Sequence, residues 1–418
     1  MNKIEKAYEL MQDHEYDLAL HKLREALEQA TDDEKLTIAQ VYQQWGFYEQ
    51  AENILIELNK KYPKESEIIL ILAQIYIDQE SDERALDLLL DVKKDDSNYV
   101  QALIQLADLY QAQGLNEVAE TKLIEAKQLA PDEMIIDFAL GELLFSMGIY
   151  NRSITFYERV LDESKEINEV SIALRLAEAY AGDGQYEKSL VLYNSIDDEQ
   201  PDTLFKHGLT AYYAKEQQIA IQQWERLLNQ DKFYHVAYIY LAKVYKEQGE
   251  LTKALEIATD GLHIDAYNKE LYFLTGKLAY ELGNVQEGID HIQEAIALDP
   301  EYKEAVLFLV NYYQENGSDE LTVELLTDLK QMGVNEPLYD WELAKSYVQL
   351  EYYDKALRLY EEVYPLLQHD EQFLQEYAYF LVEEGKIDDA VIIFEKYLTI
   401  VPDDFETDSF VKRLLGQE

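Results

Sequence analysis

Residues 238–255 read YIYLAKVYKEQGELTKAL, and residues 103–120 read LIQLADLYQAQGLNEVAE. Both stretches carry an alanine, a glycine seven positions later and a second alanine twelve positions after the first, which in the first stretch are Ala242, Gly249 and Ala254. Related stretches follow one another along the chain at intervals of 34 residues, with few departures. A constant period of this length indicates a solenoid, in which each unit packs on its neighbours along one dimension.

Twelve copies of the pattern can be aligned when the first small residue is numbered position 8 and the second position 20. Position 8 is then occupied by Ala7, Ala39, Ala73, Ala107, Gly141, Ala177, Gly208, Ala242, Gly276, Val310, Ala344 and Ala378. Position 20 is occupied by Ala19, Ala51, Ala85, Ala119, Ser153, Ser189, Ala220, Ala254, Gly288, Thr322, Ala356 and Ala390. Eight repeats have glycine at position 15, where a chain turns between two helices, and five have proline at position 32, where a second helix ends.

These positions resemble the tetratricopeptide repeat, and the resemblance covers the chain from residue 1 to about 402. It implies an all-α fold, a right-handed superhelical solenoid of about twelve helix-turn-helix repeats. After the last repeat, an apolar stripe predicts a C-terminal capping helix over residues 404–418, and it consists of Phe405, Phe410, Val411, Leu414 and Leu415. The chain is also similar to the long tetratricopeptide proteins of low-GC Gram-positive bacteria.

Repeat 6 is set apart from the others by its spacing. The step from Gly141 to Ala177 is 36 residues long, and the next step, to Gly208, is 31. We therefore expect repeats 1–5 over residues 1–169, an irregular repeat 6 that is a candidate hinge over residues 170–200, and repeats 7–12 over residues 201–403. The same spacings are also compatible with loops of altered length that leave the stacking unchanged.

Acidic residues dominate the charge of the chain, with 84 Asp and Glu against 36 Lys and Arg and a formal net charge of −48. Nucleic acids and anionic lipids are bound through clustered Lys and Arg, so this balance predicts no nucleic-acid binding and favours protein partners with basic segments. No apolar run is long enough to span a bilayer, so we expect no membrane insertion. The N-terminal residues are charged and amphipathic, unlike a signal peptide, and we expect a cytoplasmic protein.

Motifs that carry catalysis or bind cofactors are missing from the sequence. It contains no cysteine, no glycine-rich phosphate loop and no His-Glu-x-x-His pattern. The repeats occupy nearly the whole chain, which leaves no room in it for an appended catalytic domain. We therefore predict a protein that is not an enzyme and has no catalytic residue, no cofactor and no metal site.

In the proteins that this chain resembles, positions 5, 9 and 12 of the first helix face the concave groove. Position 9 holds Gln40, Gln74, Asp108, Glu142 and Glu178 in the first half of the array, and changes to Leu209, Lys243, Lys277, Asn311, Lys345 and Tyr379 in the second half. Aromatic residues accompany this second row at positions 5 and 12. The resemblance thus implies a partner-binding groove that contains Tyr212, Lys243, Phe273, Lys277, Tyr280, Asn311, Trp341, Lys345 and Tyr379.

Lysine in such a groove can bind a carboxylate, asparagine can bond peptide amides, and the aromatic rings can hold apolar side chains. The function predicted is a scaffold or adaptor that binds a partner protein or an extended peptide. Alternatives are a regulator gated by a small signalling peptide and a non-catalytic subunit of an enzyme complex. A second interpretation of the lysine row is structural, because Glu247 and Glu281 follow Lys243 and Lys277 by four residues and predict surface ion pairs within each helix.

Overall fold

A computed structural model describes residues 3–416, so residues 1–2 and residues 417–418 of the predicted cap lie outside the described part. Within it the chain forms twenty-five helices and one two-stranded hairpin. The first helices of the twelve repeats are α1 (Lys3–Gln12), α3 (Asp32–Gln44), α5 (Ser66–Asp78), α7 (Tyr99–Ala112), α9 (Met134–Ser146), α11 (Ile172–Gly182), α13 (Pro201–Tyr213), α15 (His235–Glu247), α17 (Lys269–Glu281), α19 (Lys303–Glu315), α21 (Pro337–Gln349) and α23 (Glu371–Glu383).

The second helices are α2 (Tyr16–Leu27), α4 (Tyr48–Lys61), α6 (Asp82–Leu90), α8 (Asn116–Leu129), α10 (Tyr150–Glu163), α12 (Tyr186–Tyr193), α14 (Gln217–Gln230), α16 (Leu251–Ile264), α18 (Val285–Leu298), α20 (Asp319–Gln331), α22 (Tyr353–Leu367) and α24 (Ile387–Ile400). A final helix, α25 (Phe405–Leu414), follows the last repeat. The predicted all-α repeat fold is confirmed.

Two compact units make up the chain, Met1–Glu216 and Gln217–Glu418, which we call unit 1 and unit 2. The division falls between the two helices of repeat 7. The candidate hinge predicted over residues 170–200 lies inside unit 1 and stays a prediction.

Small residues at positions 8 and 20 let the two helices of a repeat approach each other. In repeat 8 both positions are alanine and fully buried. In repeat 9 both are glycine, and a Cβ atom added to Gly276 would lie 2.7 Å from the carbonyl oxygen of Gly288. Repeat 10 instead has Val310 and Thr322, which are larger and also fully buried. Its helices α19 and α20 accordingly pack less closely than α17 and α18 do.

Tyrosines at position 11 connect successive repeats. The ring of Tyr245 is buried, and its hydroxyl donates a hydrogen bond of 2.7 Å to Glu225 on the second helix of the preceding repeat. At the same position in repeat 10, the Tyr313 hydroxyl accepts a hydrogen bond of 3.0 Å from Gln293. Tyrosine is suited to this position because its ring fills the core while its hydroxyl reaches the edge of it. These contacts account for part of the large tyrosine content of the chain.

The insertion before repeat 6 forms a β-hairpin, which the sequence analysis did not predict. Strands β1 (Glu166–Ile167) and β2 (Val170–Ser171) pair antiparallel, and the two residues between them, Asn168 and Glu169, have φ values of 49° and 66°. Two consecutive residues with positive φ are typical of the tight turn that joins hairpin strands. The side chain of Ile167 is buried beneath the hairpin. The deletion that follows shortens the second helix of this repeat, α12, to eight residues.

Helix α25 covers the end of repeat 12, as the predicted cap requires. Its N-cap residue Asp404 accepts a hydrogen bond of 3.0 Å from the backbone N–H of Thr407. Phe410 packs against Phe394 at a ring separation of 5.8 Å, and Val411 is buried. Phe405 and Leu415, which were predicted to belong to the apolar stripe, are exposed instead.

Candidate functional site

The residues predicted for the partner-binding groove, apart from Tyr212, lie on the first helices of unit 2. Side chains connect these helices directly: Lys246 pairs with Glu281 at 2.6 Å between α15 and α17, and Gln314 donates a hydrogen bond of 3.1 Å to Glu342 between α19 and α21. The first helices are therefore lateral neighbours, and their outward side chains form one surface. We call this surface, formed by α15, α17, α19, α21 and α23, the first-helix face of unit 2.

Each lysine of the predicted row lies over an aromatic ring of its own helix, about one turn earlier. The distance from the ammonium nitrogen to the ring centroid is 5.3 Å for Lys243 over Tyr240 and 5.3 Å for Lys277 over Phe273. For Lys345 over Trp341 it is 4.9 Å. An ammonium group at this distance is attracted by the ring electrons. The lysines are thus held against the protein.

The intrahelical ion pairs considered for this row do not form. Glu281 pairs with Lys246 instead, and Glu247 accepts a hydrogen bond of 3.1 Å from Gln217. Among residues 3–416, no carboxylate oxygen lies within 4.0 Å of the ammonium nitrogen of Lys243 or Lys277. These two cations therefore have no anionic partner within that distance on the described part of an acidic chain.

An aromatic cluster adjoins Lys277 on α17 and α19. The ring of Tyr280 lies edge-on to Phe308 at 5.4 Å and to Tyr312 at 5.9 Å, and Phe273 lies edge-on to Phe308 at 6.2 Å. All four rings are only partly buried. Phe273 and Tyr280 were predicted, whereas Phe308 and Tyr312 were missed. They occupy positions 6 and 10 of repeat 10, each one residue beyond a position that was considered.

Trp341 differs from the other aromatic residues because it belongs to the core. Its side chain is 5% exposed, packs edge-on against Phe373 at 5.6 Å and donates a hydrogen bond of 2.9 Å to Glu376. Desolvation by the surrounding protein raises the pKa of Glu376, and Lys345 opposes this shift. Lys345 also pairs with Glu342 at 2.7 Å. Trp341 and Lys345 therefore form a structural cluster, and Trp341 offers no open ring to a partner.

The remaining predicted residues are dispersed. Asn311 is exposed on α19. Tyr379 packs against Phe410 of the capping helix at 5.5 Å. Tyr212 belongs to α13 of unit 1 and lies edge-on to Tyr213 at 5.4 Å. Of the predicted site, the structure brings Phe273, Lys277 and Tyr280 together.

The corresponding face of unit 1 is less acidic than its position-9 residues alone indicate. Arg175 lies 3.1 Å from both Glu142 and Glu178, and Lys206 also pairs with Glu178. These cations stand at position 6 of their repeats, which the sequence analysis did not consider. Asp108 pairs with no cation among residues 3–416, and partial desolvation raises its pKa to about 6 although the side chain is exposed.

A search of residues 3–416 found no group of three or more His, Asp or Glu side chains that could hold a metal ion. Over the same residues, every helix is too short or too polar to cross a membrane.

Comparison with known proteins defines the family. A model of YpiA-like tetratricopeptide repeats matches residues 111–165, and a model of YpiA-like C-terminal tetratricopeptide repeats matches residues 337–404. The chain is 36% identical over 397 residues to the TPR repeat-containing protein YpiA of Bacillus subtilis strain 168, and the match covers 94% of each chain. The chain belongs to the YpiA-like family of tetratricopeptide repeat proteins. Its predicted resemblance to the tetratricopeptide proteins of low-GC Gram-positive bacteria is confirmed.

Two solved structures with similar repeats match different shares of this chain. The hetero-tetramer Cut9–Hcn1 of APC/C has a chain that is 14% identical, with a TM-score of 0.38, and the match covers 98% of this chain and 95% of that one. YrrB, a TPR protein with an unusual peptide-binding site, is 15% identical with a TM-score of 0.37, and the match covers 44% of this chain and 95% of that one. At these TM-scores the similarities say nothing about function. The repeat architecture of the family is that of a protein-interaction scaffold, and this fold is typically non-catalytic.

Proposed function

We propose that this chain is a cytoplasmic, non-enzymatic scaffold that binds an extended segment of a partner protein on the first-helix face of unit 2. One observation supports this proposal above the others: Lys277 has no carboxylate partner among residues 3–416 and stands beside a cluster of four partly exposed aromatic rings. Packing alone does not require an unpaired cation next to open rings, whereas peptide recognition uses both.

Each group has a distinct role in this proposal. The ammonium groups of Lys243 and Lys277 bind an acidic side chain or a carboxyl terminus of the segment. The open edges of Phe308 and Tyr312 hold an apolar side chain next to it. The exposed amide of Asn311 donates to and accepts from the main chain of the segment, because an amide side chain offers both kinds of hydrogen-bonding group.

The charge of the whole chain adds a second condition on the partner. A net charge of −48 attracts basic proteins over long distances, so the segment that carries the acidic anchor belongs to a neutral or basic region. Association should therefore slow and weaken as salt is raised, because salt screens the long-range part of this attraction.

The test uses peptides selected from a display library on the purified full chain. Their affinities are then measured against the variants Lys277→Glu and Phe308→Ala. Loss of an anchor at an interface commonly weakens binding by about tenfold or more, and we expect this of both variants. The matched control is Lys232→Glu, which makes the same charge change at a lysine that lies 5.2 Å over the exposed ring of Phe233, outside the first helices.

Equal loss of binding in Lys277→Glu and Lys232→Glu would reduce the effect to the general charge of the chain. If all selected peptides bind both test variants as well as the unchanged protein, the first-helix face of unit 2 is not the binding surface. As a control, circular dichroism of every variant tests whether the helices are retained.

A further inference from the structure

An apolar opening in unit 2 lies among helices α18, α19 and α20. Its volume is about 510 Å³. Ile296, Leu309 and Leu329 form its buried part, while Leu321 and Met332 stand at its rim with 44% and 68% of their surfaces exposed. Exposed large apolar side chains beside an apolar cavity are unusual for a surface without a partner.

Most of the repeat positions that line the opening also line an opening of about 510 Å³ among α10, α11 and α12 of unit 1. Repeat 10 has Val310 and Thr322 at the helix crossing, where most other repeats have alanine, glycine or serine. These larger side chains keep α19 and α20 from the close contact made by the glycine pair of repeat 9. The cavity forms where the second helices of repeats 9 and 10 flank the second half of α19.

The charges at the cavity are of one sign. Two carboxylates, Glu324 and Asp328, line it, and none of the described residues that line it is Lys or Arg. A second copy of this chain would bring a further net charge of −48 toward these acids, so the charge disfavours self-association here. It favours a partner whose apolar side chains are flanked by Lys or Arg.

The backbone around the cavity favours a helix as the bound element. Its walls are helices, whose N–H and C=O groups are already bonded internally, so an added strand would find no main-chain partners. A helix satisfies its own backbone. From Leu321 to Met332 the rim extends along α20 for about 16 Å at 1.5 Å per residue, which matches roughly three turns of a bound helix.

We propose that this cavity, which we call the repeat-10 groove, docks an amphipathic helix of a basic partner, with one or two large apolar side chains in the cavity and Lys or Arg next to Glu324 and Asp328. The site is separate from the first-helix face and independent of the function proposed for it.

The experiment uses the full chain and a fluorescein-labelled helical peptide of eighteen residues made of leucine and lysine. A peptide with the same leucines and with glutamate in place of lysine is the charge control. Binding is followed by fluorescence anisotropy at roughly physiological ionic strength, where long-range attraction between charges is largely screened.

The decisive variant is Met332→Lys, compared with Leu129→Lys. Leu129 occupies the same position of repeat 4, is 54% exposed and is outside the lining of the groove. The two variants change the net charge equally. We expect Met332→Lys to weaken binding of the leucine–lysine peptide about tenfold, as for loss of an interface anchor, and Leu129→Lys to leave it nearly unchanged.

A second matched pair repeats the comparison at another position. Leu321→Lys is set against Val118→Lys, since both residues stand at position 19 of their repeats and are 44% and 39% exposed. Lys277→Glu should leave this binding unaffected, which separates the groove from the first-helix face.

Three results would overturn the proposal. The first is equal weakening of binding by the two variants of a matched pair, which would show that the peptide responds only to charge. The second is equal binding of the leucine–glutamate and leucine–lysine peptides, which would show that Glu324 and Asp328 play no part. The third is a dimer in sedimentation experiments that Met332→Lys dissociates, which would show that the occupant is a second copy of the chain.

Discussion

Alanine in place of Gly288 tests whether the close helix crossing of repeat 9 is required by its backbone. Elsewhere in the array this position is mostly alanine, and alanine favours a helix over glycine by about 1 kcal/mol. From the repeat pattern alone, Gly288→Ala should therefore stabilise the protein. The structure predicts the opposite, because the added Cβ atom would lie 2.7 Å from the Gly276 carbonyl oxygen and 2.8 Å from the Tyr280 backbone nitrogen.

The magnitude follows from what must move. Both contacts are with backbone atoms, which cannot rotate away, so α17 and α18 have to separate until the 2.7 Å distance reaches the ordinary 3.4 Å. Overpacking of a close-packed core typically costs about 1–3 kcal/mol, and contacts with backbone belong to the upper part of that range. After the gain in helix propensity is subtracted, we expect a net loss of about 1–2 kcal/mol.

Native-state hydrogen exchange is the suitable assay, because repeat arrays can unfold in parts and a global midpoint averages over them. Amides of α17 and α18 should exchange sooner in Gly288→Ala, while those of α3 and α4 in unit 1 should be unchanged. The double variant Gly276→Ala, Gly288→Ala should lose less than the sum of the two single losses, because one separation of the helices accommodates both methyl groups. Slower exchange in Gly288→Ala would refute the reasoning.

Three further predictions concern other parts of the chain. Trp341→Ala should destabilise repeats 11 and 12 by about 3–5 kcal/mol, whereas Trp341→Phe should lose less, as measured by urea unfolding, since it keeps most of the packing. Partial desolvation raises the pKa of Asp108 to about 6 although its side chain is exposed, so the folded chain keeps this proton to a higher pH than the unfolded chain does. Stability should therefore fall only slightly as pH rises from about 4 to 6, and Asp108→Asn should flatten this decline in thermal unfolding. Amides over residues 162–201 should exchange sooner than their counterparts in repeats 3 and 4 if the irregular spacing creates a hinge, and equal protection would contradict it.

The helix order could be predicted because it rests on a few backbone requirements that recur. Small residues at the crossing, a left-handed turn between helices and an interruption after the second helix are local properties, and each of them recurs in several of the twelve repeats. Four repeats lack glycine at position 15, yet His14, Glu80, Lys215 and Glu351 adopt the same positive φ, between 58° and 64°. Packing of the two helices thus imposes the turn even where the local residue disfavours it.

The candidate site was predicted less completely, because side-chain contacts between repeats depend on more than position. Trp341 and Phe273 both stand at position 5, but a neighbouring Phe373 and Glu376 bury the first while the second stays partly open. Lys277 has no carboxylate partner in the described chain because Glu281, four residues later in the same helix, pairs with Lys246 of α15 instead. The repeat-10 groove was not predicted, because its lining depends on the positions of three helices.

The order of contacts along the chain has a consequence for synthesis on the ribosome. Helices that are adjacent in sequence make most of the contacts, and side-chain hydrogen bonds between repeats join residues from 10 to 36 positions apart. Each helix pair can therefore settle on the preceding one soon after it leaves the exit tunnel, without waiting for the C-terminus. We expect the nascent chain to present the apolar face of about one repeat at a time, so that its need for chaperones does not grow with its length.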